Sequence, residues 1–398
     1  MPLFFLKMAL QNAFRHRLRA CLTLLGIVIA ILAFGLLRTL VSAWYGGVDA
    51  ASDSRLVTRN AISLTFPLPI GYQYKLRQIA GVTQVSYANW FGGIYLDEKN
   101  FFPQFAVDAK TYLPLYPEYR FDEQQYRAFL RNKSGCVIGR KLANRYHWKV
   151  GDVIPLRGTI YPGSYRFVIE AIFEGTRHNT DTNLMFLHWQ LLNDRIEQLY
   201  PGRANHTGVF ILGIDDASQA AQISQSIDQE FRNSLAETLT ETEKAFQLSF
   251  VAMTEAIVVA IEAVAYVVIL IIMAVMANTM AMAARERASE YATLKAIGFG
   301  PRIIATLIVL ESLLLAVIGG FCGVLATFPV AAWFGGALDN IFPVFQVTAS
   351  TLALQSLAAL AIGIVAAALP AWHAARTNVI DGPRTAGGHP CEPASAAA

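Results

Sequence analysis

Charge is scarce in this chain. Of 398 residues only 15% are charged, while 54% are hydrophobic. A soluble domain carries about a quarter charged residues. The deficit is concentrated in a few long apolar runs, which argues for a membrane protein with one polar part. The net charge of +3 gives no reason to expect a nucleic-acid partner. Cysteine is scarce too. Cys21 and Cys322 lie in apolar runs and Cys391 in the tail. Cys136 stands alone in the large polar segment, so no disulfide can close there. That segment, of roughly 200 residues, must hold together by packing alone, and it is long enough to do so. Catalytic signatures are missing as well. There is no G-x-x-x-x-G-K-[ST] phosphate loop, no H-E-x-x-H, no Cys-x-x-Cys and no G-x-S-x-G elbow. His178, His188 and His206 have no metal-ligand spacing. The chain is therefore expected not to be an enzyme and to hold no cofactor or metal of its own.

Four apolar runs remain. Residues 1–20 mix Phe4, Phe5, Met8 and Ala9 with Lys7, Arg15, His16, Arg17 and Arg19, as an amphipathic helix on the cytoplasmic surface would. Spans are expected at 21–44, 251–284, 303–334 and 350–371. The first run exceeds the ~7–15 apolar residues of a signal-peptide core, so it is expected to be retained. Basic residues cluster at 7–19, 285–302 and 373–384, all on one side of the membrane. Both termini then lie in the cytoplasm, including the tail 372–398. The segments 45–250 and 335–349 lie outside.

Segment 45–250 reads as an α+β domain in two parts. K-L-R-Q-I-A-G-V-T-Q-V-S-Y-A (75–88) is a helix, a glycine and a strand. V-F-I-L-G-I-D (209–215) and A-A-Q-I-S-Q-S-I-D-Q-E-F (220–231) are a strand and an amphipathic helix. Between them a β-rich insertion at about 130–195 contains G-C-V-I-G-R-K-L-A-N-R-Y (135–146), the Gly151-Asp152 turn, and strands near 153–156 and 165–174. The loop 97–125 carries Phe101, Phe102, Phe105, Tyr112, Tyr116, Tyr119 and Phe121. These serve either as core packing or as a docking surface. Residues 216–250 are expected to run as one continuous stalk helix into the second span.

Polar residues in the spans are few. Arg38, near the outer end of the first, either snorkels to the headgroups or meets substrate or a second subunit. Glu255 and Glu262 are two helical turns apart, at the outer boundary or facing an interface. Glu311 lies roughly two turns in from the inner end of its span, where it could pair with the arginines of 285–302 or of the first span's entry. Gly319, Gly320 and Gly323 permit close helix packing, within the chain or between chains.

The whole is organised around Ala283–Gly323. A long apolar helix ends in Arg285, Glu286, Arg287 and Glu290, which can all be solvated. Tyr291, Leu294 and Ile297 then recur at three-residue spacing on one face. Gly298 suits a left-handed cap, and Pro301 suits the first turn of the next helix. A short helix between spans is thus expected on the cytoplasmic side, where a soluble partner could push it.

The combination Arg285-Glu286-Arg287, Glu290, Leu294-Lys295-Ala296-Ile297-Gly298, Glu311 and Gly319-Gly320 resembles the MacB/FtsX/Lol-type ABC transporter permeases. The entry to the first span and P-A-W-H-A-A-R (370–376) resemble that family's ends, although Ile380-Asp381-Gly382-Pro383 departs from them. Lys149-Val150-Gly151-Asp152 resembles a turn of the MacB-like periplasmic region. The resemblance implies four transmembrane helices, with a large α+β extracytoplasmic domain of two subdomains between helices 1 and 2. It implies a bacterial inner-membrane location with that domain periplasmic. It also implies a second permease chain, as homo- or heterodimer, and separate cytoplasmic ABC ATPase subunits that bind the ATP and Mg. Arg285, Glu286, Arg287, Glu290, Leu294, Lys295 and Gly298 would be the ATPase-coupling residues. The outer domain would then drive an adaptor and outer-membrane duct, extract lipoproteins, or control a wall hydrolase. Its size favours the first two.

Overall fold

The computed structural model describes residues 8–11, 13–177, 180–337 and 345–376. Readings that fall on Phe4, Phe5, Lys7, His178, Cys391 or 380–383 lie outside them. In chain order the elements are α1 (Arg17–Ala50), β1 (Arg55–Asn60), β2 (Leu68–Pro69), α2 (Tyr72–Leu76), β3 (Val82–Trp90), β4 (Gly93–Ile94), β5 (Gln104–Val107) and β6 (Tyr119–Arg120). Then come α3 (Glu123–Arg131), β7 (Gly135–Gly139), α4 (Arg140–Tyr146), β8 (Val153–Gly158), β9 (Gly163–Gly175), β10 (Met185–His188) and α5 (Trp189–Leu199). The chain continues with β11 (His206–Thr207), β12 (Val209–Ile214), α6 (Ala220–Glu230), β13 (Thr238–Thr242), α7 (Glu243–Met253), α8 (Glu255–Glu286), α9 (Ala288–Ala296), α10 (Pro301–Ala337) and α11 (Ala349–Arg376).

The chain divides into two units. One takes residues up to Ser42, Ala256–Gly336 and the chain from Phe345 on; the other is mainly Ala43–Glu255. In the first, α1, α8, α10 and α11 are each long and apolar enough to cross a membrane. Each exceeds the ~20 residues that a bilayer core requires. Their shared core includes Ile27, Ile31 and Phe34 of α1, Ile269 and Met276 of α8, Ile304 and Ile308 of α10, and Ile362 of α11. Small residues set the spacing. A methyl group added at Gly319 would lie 2.9 Å from Ile27, one at Gly323 2.9 Å from Ile31, and one at Gly320 2.5 Å from Ala359. All three glycines are thus in close contacts inside one chain. Gln355 cross-links three helices, donating to the Ile31 carbonyl and to Thr327 Oγ1, each at 2.9 Å.

The second unit is built on one mixed, eleven-stranded sheet in the order β13-β1-β12-β3-β5-β10-β7-β9-β8-β4, with β6 beside β9. Both faces are covered, and the strand period of two sorts residues between them. Leu56, Tyr87 and Phe210 enter one core, while their neighbours Val57, Ala88 and Ile211 enter the other. The two expected parts are joined by this sheet, because β10 pairs with β5 on one side and β7 on the other. The aromatic loop supplies core: Phe102, Tyr112 and Tyr116 are buried, and Phe105, Tyr119 and Phe121 pack against the cores. Only Phe101 of that group is exposed.

The expected continuous helix over 216–250 is corrected. Helix α6 ends at Glu230, Asn233 takes a left-handed backbone, and T-L-T-E-T forms the edge strand β13 against β1. Threonine favours strands, and Thr238 and Thr240 bury alternate side chains. Asp228 accepts from Thr238 Oγ1 at 2.9 Å and from the Thr240 amide at 3.0 Å, so it caps that edge. Thr242 then caps α7, accepting from the Ala245 amide at 3.1 Å. Another break falls at Thr254. Its hydroxyl donates to the Val251 carbonyl at 2.9 Å and accepts from Trp44 Nε1 at 2.8 Å. A threonine hydroxyl that competes for backbone partners interrupts a helix in this way.

Candidate functional site

Helix α9 is a short piece with defined ends. Its C-terminus closes on Gly298, at φ +102°, whose amide donates to the Lys295 carbonyl at 3.0 Å. The Phe299 amide donates to the Leu294 carbonyl at 3.0 Å, completing a glycine-terminated cap. Pro301 then opens α10.

Around α9 six charged side chains close on one another. Arg19 makes a two-pronged contact with Glu286, at 2.8 and 2.7 Å. Arg15 pairs with Glu290. Arg287 donates to Glu290 at 3.1 Å and to Glu311 at 2.8 Å. Its guanidinium also lies 5.4 Å from the centre of the Tyr291 ring. Three arginines thus face three glutamates, drawn from the first helix and its approach, the end of α8, α9 and α10. The network is graded in exposure. The Arg15 and Glu290 side chains are 57% and 42% exposed, whereas Arg287 and Glu311 are 12% and 9%. Burial opposes ionisation of Glu290, yet hydrogen bonds from Arg15 and Arg287 hold its carboxyl below the usual range. Burial likewise works against the Arg287 charge, but Tyr291 and Glu311 more than offset it. Burial pushes the Tyr291 phenol up to about 12.

The reading that Arg285, Glu286, Arg287 and Glu290 can all be solvated needs correction only at Arg287. Arg285 and Glu286 are exposed and Glu290 is about half-exposed, whereas the Arg287 side chain is drawn in, at 12% exposure. Tyr291, Leu294 and Ile297 also part company: Tyr291 is buried, Leu294 is half-buried, and Ile297 is 71% exposed. A three-residue spacing falls about 60° short of a full helical turn, so two such steps carry Ile297 well off the Tyr291 face. Ile297 and Phe299 form an exposed apolar edge, with Lys295 in the last turn of α9. Of the alternatives for Glu311, the structure places it on Arg287 of the 285–302 region. Glu262 pairs with Arg38, so that arginine has a partner inside the span. Glu255 is exposed and has no ion pair among the described residues. The sequence reading did not assign Arg15 and Arg19 to this site. The available signal was that they stand one helical turn apart, as do Glu286 and Glu290.

The outer domain has a charged cluster of its own. Arg55, at the head of β1, donates to Glu243 at 2.7 Å and to Glu118 at 2.6 Å, and lies 4.2 Å from the Tyr116 ring centre. Glu243 begins α7 and also accepts from the Ser52 amide at 3.0 Å. Arg55 and Glu243 are nearly dry, at 7% and 8% side-chain exposure. Burial opposes the arginine's charge, but its two glutamates raise its pKa above the usual range.

Comparison with known proteins gives two matches along the chain. Residues 20–230 match the MacB-like periplasmic core domain, and residues 262–379 match the FtsX-like permease C-terminal region. An uncharacterized ABC transporter permease of Methanocaldococcus jannaschii is 24% identical over 401 residues, covering 94% of this chain and 96% of that protein. An uncharacterized ABC transporter permease protein of Mycobacterium tuberculosis is 27% identical over 263 residues, covering 63% of this chain and 29% of that protein. Among solved structures, the periplasmic region of MacB from Actinobacillus actinomycetemcomitans is similar at 7% identity and a TM-score of 0.36, covering 51% of this chain and 95% of that one. The first match alone spans more than half of the chain, and the second takes in α9 and the last two spans. This chain belongs to the FtsX-like ABC transporter permeases that carry a MacB-like periplasmic core domain.

Proposed function

We propose that the chain couples ATP hydrolysis by separate cytoplasmic ATPase subunits to a conformational change of its periplasmic domain, in MacB-like export. The observation that carries this is the construction of α9. A short helix with an exposed apolar edge at Ile297 and Phe299 is held by ion pairs together with the packing of Tyr291 and Leu294. Exposed ion pairs each contribute about 0–1 kcal/mol and re-form readily. An ATPase that closes against this edge could therefore shift α9 at small cost. The displacement would pass to the end of α8 through the chain itself at Arg287, and to α10 through Arg287 and Glu311. Two permease chains would act together, since four spans are too few to enclose a pathway. The outer domain would work on a periplasmic adaptor and outer-membrane duct. ATP and Mg would bind on the ATPase, and both termini of the permease would be cytoplasmic.

The test is a tagged pull-down from native membranes in mild detergent, read by mass spectrometry. The expected result is a phosphate-loop ATPase together with a periplasmic adaptor. Recovery of an ATPase with lipoproteins, or with a wall hydrolase, would replace export by the corresponding task. A well-folded preparation that brings down no ATPase would overturn the coupling reading.

A further inference from the structure

Five arginine–glutamate pairs share one pattern. Arg15–Glu290, Arg19–Glu286 and Arg38–Glu262 lie in the membrane unit. Arg55–Glu243 and Arg59–Glu241 lie in the outer domain. Every arginine belongs to the outgoing segment 15–59, and every glutamate to the returning segment 241–290. The pairs follow in strict antiparallel order, and all have the same polarity. A neutral contact of the same kind falls between the third and fourth, where Trp44 donates to Thr254 at 2.8 Å. Arg287 and Glu118 stand outside this series.

The rungs are not equivalent. Arg15 lies just before α1 and Glu290 on α9, past the break at Arg287, so at that end the charges sit on separate pieces of chain. Being partly exposed, these four charges can exchange partners if α1 slips against α8. Arg38 has no such choice. The next glutamate along α8 is Glu255, two turns away, and a slip by a single turn would leave Arg38 and Glu262 both unpaired. Charges inside a membrane are expensive unless they are paired or wet. Arg38 and Glu262 are 20% and 36% exposed, Phe34 meets Tyr266 one turn along at 6.0 Å between ring centres, and Arg38 Nε is buried without a partner. An exit to water is thus poor for this pair, and its register is the one with most to lose.

We infer that Arg38–Glu262 is the register key of a ladder that makes the first two spans one strut, so that a displacement at the coupling helix moves both together. Arg38 and Glu262 act in this as positioning residues. The inference rests on the proposed coupling for its consequence, but its geometry can be tested separately.

Two measurements on the full chain decide it. In protein freed of its native cysteines, Phe34→Cys and Tyr266→Cys should be joined by a short bifunctional thiol reagent. Neutralising the key with Arg38→Gln and Glu262→Gln, which keeps size and avoids an unpaired charge, should lower the yield by about threefold or more as registers mix. The exchanged pair Arg38→Glu with Glu262→Arg should restore most of it. An unchanged yield in the neutral pair overturns the inference. The second measurement uses the complex with the captured ATPase in nanodiscs, with spin labels at Lys99 and Leu357. Wild type should show an ATP-driven distance change that the neutral pair loses while hydrolysis continues; a neutral pair that moves like wild type overturns the strut. A wild-type complex that shows no change sinks the coupling reading instead, and the cross-linking result then decides the register claim alone.

Discussion

The two charged clusters use the same chemistry to opposite ends. Around α9, three arginines and three glutamates are spread from half-exposed to nearly buried, so some contacts can be exchanged with water and others cannot. In the outer domain, Arg55 holds Glu118 and Glu243 in a dry setting lined by Tyr116. A charge that water cannot reach has to keep its partner, whereas a charge at the surface can change partners at little cost. The first cluster is therefore built to rearrange and the second to stay fixed. That fits their places in the chain: one surrounds the segment an ATPase would push, and the other fastens the start of α7 to the start of β1.

The largest effect expected of breaking this contrast is at Arg55. Arg55→Met leaves two carboxylates facing each other with little solvent, and should cost about 3–5 kcal/mol of stability. The melting temperature of the full chain in detergent measures it. Adding Glu118→Gln and Glu243→Gln should recover a good part, because the unpaired charges are then gone. A loss below about 1 kcal/mol would mean that this cluster is as soft as a surface pair.

Arg287→Ala should rank next. Glu311 loses its ion-pair partner among the described residues, while Glu290 keeps Arg15. A buried acceptor left alone costs roughly 1–3 kcal/mol, so a clear drop in melting temperature is expected. Combining it with Glu311→Gln should restore stability but not ATP-driven movement of the outer domain. If movement returns along with stability, Arg287 serves only to hold the fold together.

The phenol of Tyr291 sharpens the contrast through pH. Its folded pKa, about 12, lies above the ordinary value of 10.0. The folded state therefore prefers the neutral phenol. That contribution is complete below pH 10 and is lost as the pH rises toward 12. Tyr291→Phe removes the titration, so its stability should fall less steeply than that of wild type between pH 10 and 12. Equal slopes would show that this ring does not govern alkaline loosening.

Much of this fold could be read in advance because its signals are local. Spans declare themselves by apolar length, Gly298 and Pro301 bound α9, and G-C-V-I-G-R-K-L-A-N-R-Y states its strand and helix within twelve letters. What escaped was either brief or distant. The strand β13 is five residues long and leads directly into the helix α7, so a helical reading runs over it. Thr254 breaks a helix whose composition gives no warning. Ion pairs such as Arg19–Glu286 and Arg38–Glu262 join residues more than two hundred positions apart. Each member alone looks like a solvated or snorkelling charge, and only the antiparallel course of α1 and α8 turns them into partners. For the same reason, the residues of α9 and its ends were legible as a motif, while Arg15 and Arg19, which pair with them, were not.

The smallest effect belongs to Arg15→Ala, and its smallness carries the argument. Arg15 and Glu290 are about half-exposed, so water already competes for both. Glu290 retains Arg287 after the substitution. The expected loss is under about 1 kcal/mol, shrinking further as salt rises and screens what remains. Stability should therefore barely move, yet the balance among positions of α9 should shift, because one of its restraints is gone. Hydrogen exchange across 288–300 in the full chain reads this directly: amides there should exchange faster in the variant, while those of β1 and β12 stay as they were. Unchanged exchange at 288–300 would mean that α9 is held by its packed residues Tyr291 and Leu294, and that its ion pairs restrain nothing. A loss of stability matching that of Arg55→Met would show instead that the exposed end of the network is as rigid as the buried cluster, and the contrast between the two regions would fall.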